Sequence, residues 1–234
     1  MVGSETHCAI IADIIGSRKM SAQDRKQAQE VLISKISEYN VNYDSKLAAY
    51  FDFCAGDQIQ ALFYRCEDAY RFAFSFREEM YPVSFRIGIG AGDWTIRYAK
   101  ESSNRQDGSA YHNARYAIDH LDKMTNRKML FYSNNEIDAV INTLIANEER
   151  IFEEQTENQR ILARIISRRH MIEPASITKE HCFTIVNVVK GCVSNLADEL
   201  DTSPQNISQN IRRGKINDQK ELQSAIIWLL NQHF

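Results

Sequence analysis

Three observations predict that this sequence folds as an α+β domain followed by an all-helical domain. Up to about residue 132, apolar runs rich in β-branched and aromatic residues alternate with segments of helical periodicity. Their order is strand, helix, hairpin, helix, strand, strand, helix, strand, and its core is the βαββαβ pattern of the ferredoxin-like fold. After about residue 173, only helical patterns follow.

The composition is that of an ordinary globular protein and excludes several classes of function. The chain has 234 residues, 44% hydrophobic and 25% charged, with a formal net charge of −3, so it offers no global attraction for nucleic acid or an anionic membrane. No apolar run approaches the roughly 20 residues of a membrane span, and the polar N-terminus lacks a signal-peptide core. The five cysteines are scattered without a C-x-x-C pair, which argues against zinc and predicts a reduced, cytoplasmic protein.

The elements of the first domain are predicted from periodicity and from the residues that end them. Apolar residues at helical spacing predict helices over 22–39, 67–80 and 109–123. Alternating apolar residues predict a hairpin over 46–63 and strands over 84–92, 93–98 and 129–132. Pro82 ends the second helix. Gly88, Gly90 and Gly92 weaken their strand and therefore indicate the close approach of a ligand or of another backbone.

The first strand, which runs from Cys8, carries the most informative stretch of the chain. It is apolar and β-branched except for Asp13, and it ends at Gly16 and Ser17. A carboxylate in a buried strand is costly unless it is paired or holds a metal. A glycine-serine turn before a helix offers N–H groups to a phosphate. The sequence therefore predicts a cation and a phosphate at the end of this strand.

A second carboxylate is expected beside the first. In a βαββαβ sheet the first strand lies next to the hairpin, so Asp57, in the Ala-Gly-Asp turn, can meet Asp13 at one edge. The alternative is that Asp13 caps its own turn and that Asp57 is an ordinary hairpin-turn residue.

Four motifs in order carry a resemblance to a known family. They are Asp13-Ile-Ile-Gly-Ser17, Gly56-Asp-Gln-Ile-Gln-Ala61, Arg86-Ile-Gly-Ile-Gly-Ala-Gly92 and Gly108-Ser-Ala-Tyr-His-Asn-Ala-Arg115. Together they resemble the SatD family, over residues 7–132. That family is itself similar to the class III nucleotide cyclase fold, which is related to GGDEF and CRISPR-polymerase palm domains.

The resemblance implies a role for each matching position. Asp13 and Asp57 match the carboxylates that hold Mg²⁺ or Mn²⁺, and no organic cofactor is expected. Arg115 resembles the arginine that stabilises charge at the transferring phosphoryl centre. The predicted phosphate-binding residues are Ile14, Ile15, Gly16, Ser17 and Arg18. The chain departs from the cyclase pattern where Phe53 replaces a base-reading lysine and Tyr111 an asparagine.

The C-terminal region resembles a helix-turn-helix. Ser203 and Pro204 form a helix start. Apolar residues predicted to face inward are Leu196, Ala197, Leu200, Ile207 and Ile211. Residues predicted to face outward and to bind DNA are Gln205, Asn206, Gln209, Arg212 and Arg213. The alternative is a small helical bundle for protein contact.

The predicted domains are a cyclase-like α+β domain over 1–135, a helical connector over 136–172 and a helix-turn-helix domain over 173–234. The connector is expected to form one bent helix or two helices. It is either a solvated linker between the domains or a helix pair through which the protein dimerises. The leading hypothesis is a cytoplasmic, homodimeric DNA-binding regulator whose first domain binds a nucleotide and a divalent metal. The alternatives are a metal-dependent nucleotidyl cyclase or polymerase acting on nucleoside triphosphates, and an inactive adaptor.

Overall fold

The structure is a computed structural model that describes residues 5–55, 57–168 and 191–234. Its Cα packing divides the chain into two units. The first contains residues 1–142 together with 230–234, and the second contains residues 143–229. The predicted domain boundaries stay a prediction, because 172/173 lies outside the described residues.

A five-stranded sheet organises the first unit. Its strands are β1 His7–Ile14, β2 Leu47–Ala55, β3 Gln58–Phe63, β4 Phe85–Gly92 and β5 Met129–Tyr132. Their spatial order is β2-β3-β1-β4-β5. The pairs β2–β3, β3–β1 and β1–β4 are antiparallel, and β5 is parallel to β4. The predicted placement of the first strand beside the hairpin is therefore confirmed.

Helices cover both faces of this sheet. They are α1 Ala22–Asn42, α2 Cys66–Met80 and α3 Ser109–Leu121. Aromatic rings pack α1 and α2 on one face: Tyr39 and Phe72 contact Phe51, and Phe76 contacts Phe85. On the other face, α3 packs on alternate residues of β1, Ala9 and Ile11. The alternation in β1 thus supplies apolar side chains to both faces.

The glycines of β4 are explained by the approach of α3. A Cβ on Gly88 would lie 2.5 Å from the backbone oxygen of Ala114, and one on Gly90 would lie 2.0 Å from the Ala114 nitrogen. Of the two predicted reasons for these glycines, close approach of another backbone is therefore the correct one at both positions.

Two predictions for the first unit were wrong in detail. The segment 93–98 is not a strand, since only Ile96 forms a bridge, to Asp107. Instead, the Gln106 side chain accepts from the backbone N–H of Tyr98 at 2.8 Å and donates to the Tyr98 carbonyl at 2.7 Å, which replaces a strand partner. Helical spacing also predicts that Val31 and Leu32 of α1 share its inner face, but Leu32 is fully buried whereas Val31 is 45% exposed.

The second unit is helical. Its described helices are α4 Ile137–Glu154, α5 Glu157–Arg168, α6 Cys192–Glu199, α7 Pro204–Arg213 and α8 Ile216–His233. The start of α4 and the end of α8 belong to the first unit. The stretch after residue 136 therefore forms two helices, and α5 begins where the Thr156 N–H donates to Gln159 Oε1 at 2.9 Å. Helical periodicity also predicts a helix over 179–189, and that segment lies outside the described residues.

The core of the second unit joins α5 to the helices that follow it. Leu162, Ala163 and Ile166 of α5 pack with Leu196, Ala197, Ile207, Ile211 and Ile216. Leu200 was predicted to belong to this core and is 39% exposed at the end of α6. Within the described ranges, no helix has the length and apolar character needed to cross a bilayer.

Candidate functional site

Asp13 lies at the end of β1 on the face that α3 covers. It follows Ala9 and Ile11 at a spacing of two residues, and both pack in the α3-facing cluster. In the antiparallel register Asp13 is opposite Arg86 of β4. The alternation that directs apolar residues toward α3 therefore directs this carboxylate to the same side, near the end of the helix.

Arg86 holds Asp13 by two parallel hydrogen bonds. Nε donates to Oδ1 at 2.9 Å and Nη2 donates to Oδ2 at 3.1 Å. The third nitrogen, Nη1, donates to Asp122, the residue at the C-terminal cap of α3. The side chains of Asp13 and Arg86 are 18% and 23% exposed, whereas that of Asp122 is 72% exposed. One guanidinium thus joins the ends of β1, β4 and α3.

Burial and the ion pair have opposite effects on the pKa values of Asp13 and Arg86. Burial raises the pKa of Asp13, its bonds to Arg86 lower it, and the nearby charges of Asp57 and Asp122 raise it again, with a net increase. Burial alone would lower the pKa of Arg86, but the two carboxylates outweigh it and raise that pKa above its ordinary value. Arg86 is therefore a permanent cation. Additional positive charge near Asp13 would further stabilise the ionised form of its carboxyl group.

Asp57 provides the second carboxylate at this edge. β3 pairs with β1 up to Ile59 opposite Ala12, so Asp57 lies just beyond the last paired residues of the two strands. Its Oδ2 is buried and makes no hydrogen bond to any residue that the structure describes. Its charge acts on the pKa of Asp13. Asp57 therefore lies near Asp13, and the role of the two residues as metal ligands stays a prediction.

This donor set fits a hard divalent cation that shares its ligands with a phosphate. Within residues 5–55, 57–168 and 191–234, no group of three or more histidine, cysteine or acidic residues could hold a metal alone. Mg²⁺, however, is commonly bound by one or two carboxylates plus substrate phosphates and water. A buried carboxylate oxygen without a partner is costly and is satisfied by such an ion.

Only some groups of the predicted phosphate-binding segment, residues 14–18, are available to bind a phosphate. Gly16 adopts a left-handed conformation, with φ of 77°, and starts a short 3-10 helix, Ser17–Lys19. The N–H of Ile15 is already used, since it donates to the Ser84 carbonyl at 2.9 Å. Ile14 is buried as the last residue of β1, and the side chain of Arg18 lies outside the described part of the chain.

A different arginine reaches this loop. Arg25, in the first turns of α1, donates through Nη2 to the carbonyl of Ser17 at 3.0 Å. The 3-10 helix and α1 are thus tied together next to Gly16. Sequence reasoning missed Arg25, because a basic residue on an exposed helix gives no signal of the loop it will meet.

Arg115 lies on the exposed side of α3. It is beside Ala114, whose backbone faces Gly88 and Gly90. It precedes Asp122 by seven residues, which is about 10 Å along a helix. Its catalytic role stays a prediction.

Arg86 and Asp122 are the site residues that sequence reasoning missed. The available signal was the position of Arg86 in a strand otherwise made of apolar residues and glycine. A buried arginine in such a strand needs an acidic partner, and the antiparallel register makes Asp13 that partner.

The second candidate surface is the outer side of α7. The Ser203 side chain caps this helix by accepting from the Asn206 N–H at 3.1 Å, and Ile207 and Ile211 are buried beneath it. The exposed side forms a hollow of about 420 Å³ lined by Pro204, Gln205, Ser208, Gln209 and Arg212. Arg213 is exposed as well.

One of the predicted DNA-binding side chains is turned away from this hollow. Asn206 donates to Thr202 Oγ1 at 2.8 Å, and its Oδ1 accepts from Asn210 at 3.1 Å. Its amide is therefore bonded to the turn before α7 and to the next turn of the helix, and it does not line the hollow with Gln205, Gln209 and Arg212.

Comparison with known proteins identifies a family and distant structural neighbours. The family model of the SatD family matches residues 7–216. A search of curated proteins found no match. The adenylyl cyclase CyaB from P. aeruginosa is 15% identical, with 48% of this chain and 70% of that chain covered and a TM-score of 0.37.

Two guanylyl cyclase structures are similar to the same degree. The catalytic core of a rhodopsin-guanylyl cyclase with converted specificity, in complex with ATPalphaS, is 15% identical over 50% of this chain and 75% of that chain, with a TM-score of 0.38. The dimeric guanylyl cyclase domain of the RhoGC fusion protein from Blastocladiella emersonii is 15% identical over 49% and 73%, also with a TM-score of 0.38. Similarity this distant assigns no activity to the chain.

Proposed function

The chain belongs to the SatD family, and we propose that its first unit binds a nucleotide through a divalent cation held by Asp13 and Asp57. The observation that carries this proposal is Asp57 Oδ2, a buried oxygen with no hydrogen-bond partner among the described residues. It lies near a second carboxylate, Asp13, whose pKa its charge raises. Like charges at one site are tolerated when a cation neutralises them.

The chemistry of the site favours Mg²⁺ or Mn²⁺ over softer metals. Carboxylate oxygens are the ligands that these hard cations prefer, and the chain supplies no nearby thiolate or imidazole pair among its described residues. The cation would neutralise the phosphates of the nucleotide. Gly16 and Ser17 provide a backbone turn beside the carboxylates, where phosphate oxygens can approach closely.

Thermal stability of the full chain tests this proposal. A ligand that binds only the folded state raises the melting temperature, so a nucleoside triphosphate with Mn²⁺ is expected to stabilise the wild type more than either alone. Asp57→Asn is expected to remove that joint effect. Asp119→Asn, which neutralises an exposed carboxylate of α3, is the matched control and should keep it. Equal stabilisation of all three proteins would contradict the proposal.

Catalytic turnover is the second possibility for the same site. A metal-dependent nucleotidyl cyclase or polymerase releases pyrophosphate from a nucleoside triphosphate. Release by the wild type that Asp13→Ala and Asp57→Ala both abolish would favour an enzyme. Binding without release would favour a regulatory pocket, and the absence of both would leave an inactive adaptor.

A second function, DNA binding, is favoured by the outer side of α7. The amide and guanidinium groups of Gln205, Gln209 and Arg212 share one exposed side of a capped helix, and such groups bond the edges of adenine and guanine in the major groove. We propose that α6 and α7 form a helix-turn-helix with α7 as the recognition helix, and that nucleotide binding governs it.

The salt dependence of DNA affinity tests this second function. Replacing Arg212 and Arg213 by alanine removes two exposed cations and is expected to weaken binding. The slope of log affinity against log salt should fall by about 1 for each of the two arginines that contacts a phosphate. Lys26→Ala, an exposed lysine of α1, is the control and should leave the slope unchanged. No saturable binding at low salt would remove this function.

Two further features belong to the proposal. A single helix-turn-helix binds DNA weakly, so we expect a homodimer, which analytical ultracentrifugation measures directly. The described cysteines, Cys8, Cys54, Cys66 and Cys192, are all free thiols, which supports a reducing compartment such as the cytoplasm.

A further inference from the structure

Arg86 is shared between two carboxylates of unequal exposure, and we propose that Asp122 is a positioning residue that draws Arg86 away from Asp13 when a divalent cation binds there. This inference rests on the proposed function, because it concerns the same cation site. It assigns to the C-terminal end of α3 a role in controlling access to the metal ligands.

The hydrogen bonds of Asp13 show that Arg86 and a divalent cation would compete for the same carboxylate. Both oxygens of Asp13 accept from Arg86, through Nε at 2.9 Å and Nη2 at 3.1 Å. A cation at Asp13 and Asp57 therefore meets a carboxylate that already has a cationic partner. Because like charges that share one carboxylate repel each other, the cation and the guanidinium favour different positions.

Asp122 provides the alternative position for the guanidinium. It already accepts from Nη1 of Arg86, so the side chain can rotate toward Asp122 without losing all contact with a carboxylate. Asp122 is 72% exposed, so a guanidinium that moves toward it gains hydration. That hydration offsets part of the interaction lost at Asp13.

The backbone on both sides of the contact between Arg86 and Asp122 is held in place. The N–H of Asp122 donates to the Ile118 carbonyl at 3.3 Å, which fixes it at the end of α3. A Cβ on Gly88 would lie 2.8 Å from the Ile118 nitrogen, so α3 and β4 are in direct backbone contact close to Arg86. The proposed rearrangement therefore needs side-chain movement and no shift of these backbone segments.

A double-mutant cycle on Mn²⁺ affinity tests this role in the full chain without nucleotide. Arg86→Gln removes the competing cation and is expected to tighten the Mn²⁺ Kd about tenfold. Asp122→Asn removes the alternative partner and is expected to weaken the Kd about fivefold while Arg86 is present. In the Arg86→Gln background the same Asp122→Asn change is expected to alter the Kd by less than about twofold.

Two controls separate this mechanism from a general charge effect and from misfolding. Asp119→Asn removes the same charge from the same helix and is expected to change the Kd by less than about twofold in both backgrounds. Arg86→Lys keeps the charge but not the paired hydrogen bonds, so its Kd is expected between those of the wild type and Arg86→Gln. Melting temperatures identify any variant that fails to fold.

The outcomes distinguish this inference from the proposed function. If Asp57→Asn abolishes Mn²⁺ binding but Asp122→Asn acts equally in both backgrounds, the cation site stands and the role of Asp122 is overturned. If Arg86→Gln weakens Mn²⁺ binding, the competition is overturned as well. If neither the wild type nor Arg86→Gln binds Mn²⁺, both the cation site and this inference fail.

Discussion

The side chain of Asn142 pairs with both backbone groups of Phe131 at one edge of the sheet. Its Nδ2 donates to the Phe131 carbonyl and its Oδ1 accepts from the Phe131 N–H, each at 2.8 Å. Asn40 of α1 makes the same pair of bonds to Phe51 of β2, at 3.1 and 2.8 Å, on the opposite edge. An asparagine on a helix thus occupies backbone groups that an edge strand would otherwise offer to another chain.

Loss of this edge pairing is expected to destabilise the first unit. Phe131 is 1% exposed, so Asn142→Ala leaves a buried N–H and a buried carbonyl without partners and should lower the free energy of unfolding by about 2 kcal/mol. Urea denaturation measures the loss. Asn142→Asp retains an acceptor for the N–H but places a carboxylate oxygen against the Phe131 carbonyl, so it should lose at least as much. A change below about 0.5 kcal/mol for Asn142→Ala would show that the pairing is not needed.

The contact of β4 with α3 predicts an intolerant position. Gly90→Ala places a Cβ 2.0 Å from the Ala114 nitrogen, so backbone must move, and a loss of about 3 kcal/mol of unfolding free energy is expected. Gly16→Ala is the control: no atom of the described residues lies within 4 Å of a Cβ placed there, so its positive φ is the main cost, about 1 kcal/mol. Similar losses for the two variants would contradict the packing explanation.

His7 predicts how stability depends on pH. Burial lowers the pKa of His7 below its ordinary value of 6.5, so the folded state disfavours the protonated ring. Its contribution to stability is complete above the ordinary pKa and is lost as the pH falls through 6.5 toward the lower folded pKa.

Melting temperatures measured between about pH 7.5 and pH 5 test this sign. The wild type should lose stability over that range more steeply than His7→Gln. His112→Gln removes a histidine whose side chain is 73% exposed and should keep the slope of the wild type. An unchanged slope in His7→Gln would contradict the assignment.

The cap of α7 predicts a measurable share of the stability of the second unit. Ser203→Ala removes the acceptor of the Asn206 N–H and should cost about 1 kcal/mol, whereas Ser203→Asp restores an acceptor and most of the loss. Ser208→Ala, on the exposed side of the same helix, should cost less than about 0.5 kcal/mol. Equal losses from Ser203→Ala and Ser208→Ala would show that the cap contributes little.

The sequence predicts the sheet because its signals are local. The alternation in β1 and the turn that contains Asp57 lie within short segments. The βαββαβ order then places β1 beside β3, so that Asp13 and Asp57 lie at neighbouring ends of these two strands. The partner of Asp13 was not predictable in the same way, since Arg86 is 73 residues away in sequence and only the register of β1 with β4 brings it opposite.

The remaining differences have the same origin. Segment 93–98 alternates like a strand, but the side chain of Gln106 takes the backbone bonds of Tyr98 and no neighbouring strand is needed. Asn206 faces outward on a helical wheel, yet Thr202 and Asn210 hold its amide in the turn. In both cases a polar side chain makes a tertiary or cap interaction that hydrophobic periodicity does not encode.

The cation shared by Asp13 and Asp57 is the central claim, and an anomalous difference map from crystals grown with Mn²⁺ and a non-hydrolysable nucleoside triphosphate tests it most directly. The predicted result is a peak about 2.0–2.3 Å from an oxygen of each carboxylate, with phosphate oxygens completing the shell. A map with ordered Asp13 and Asp57 side chains and no peak between them, or with Mn²⁺ bound elsewhere, would contradict the account.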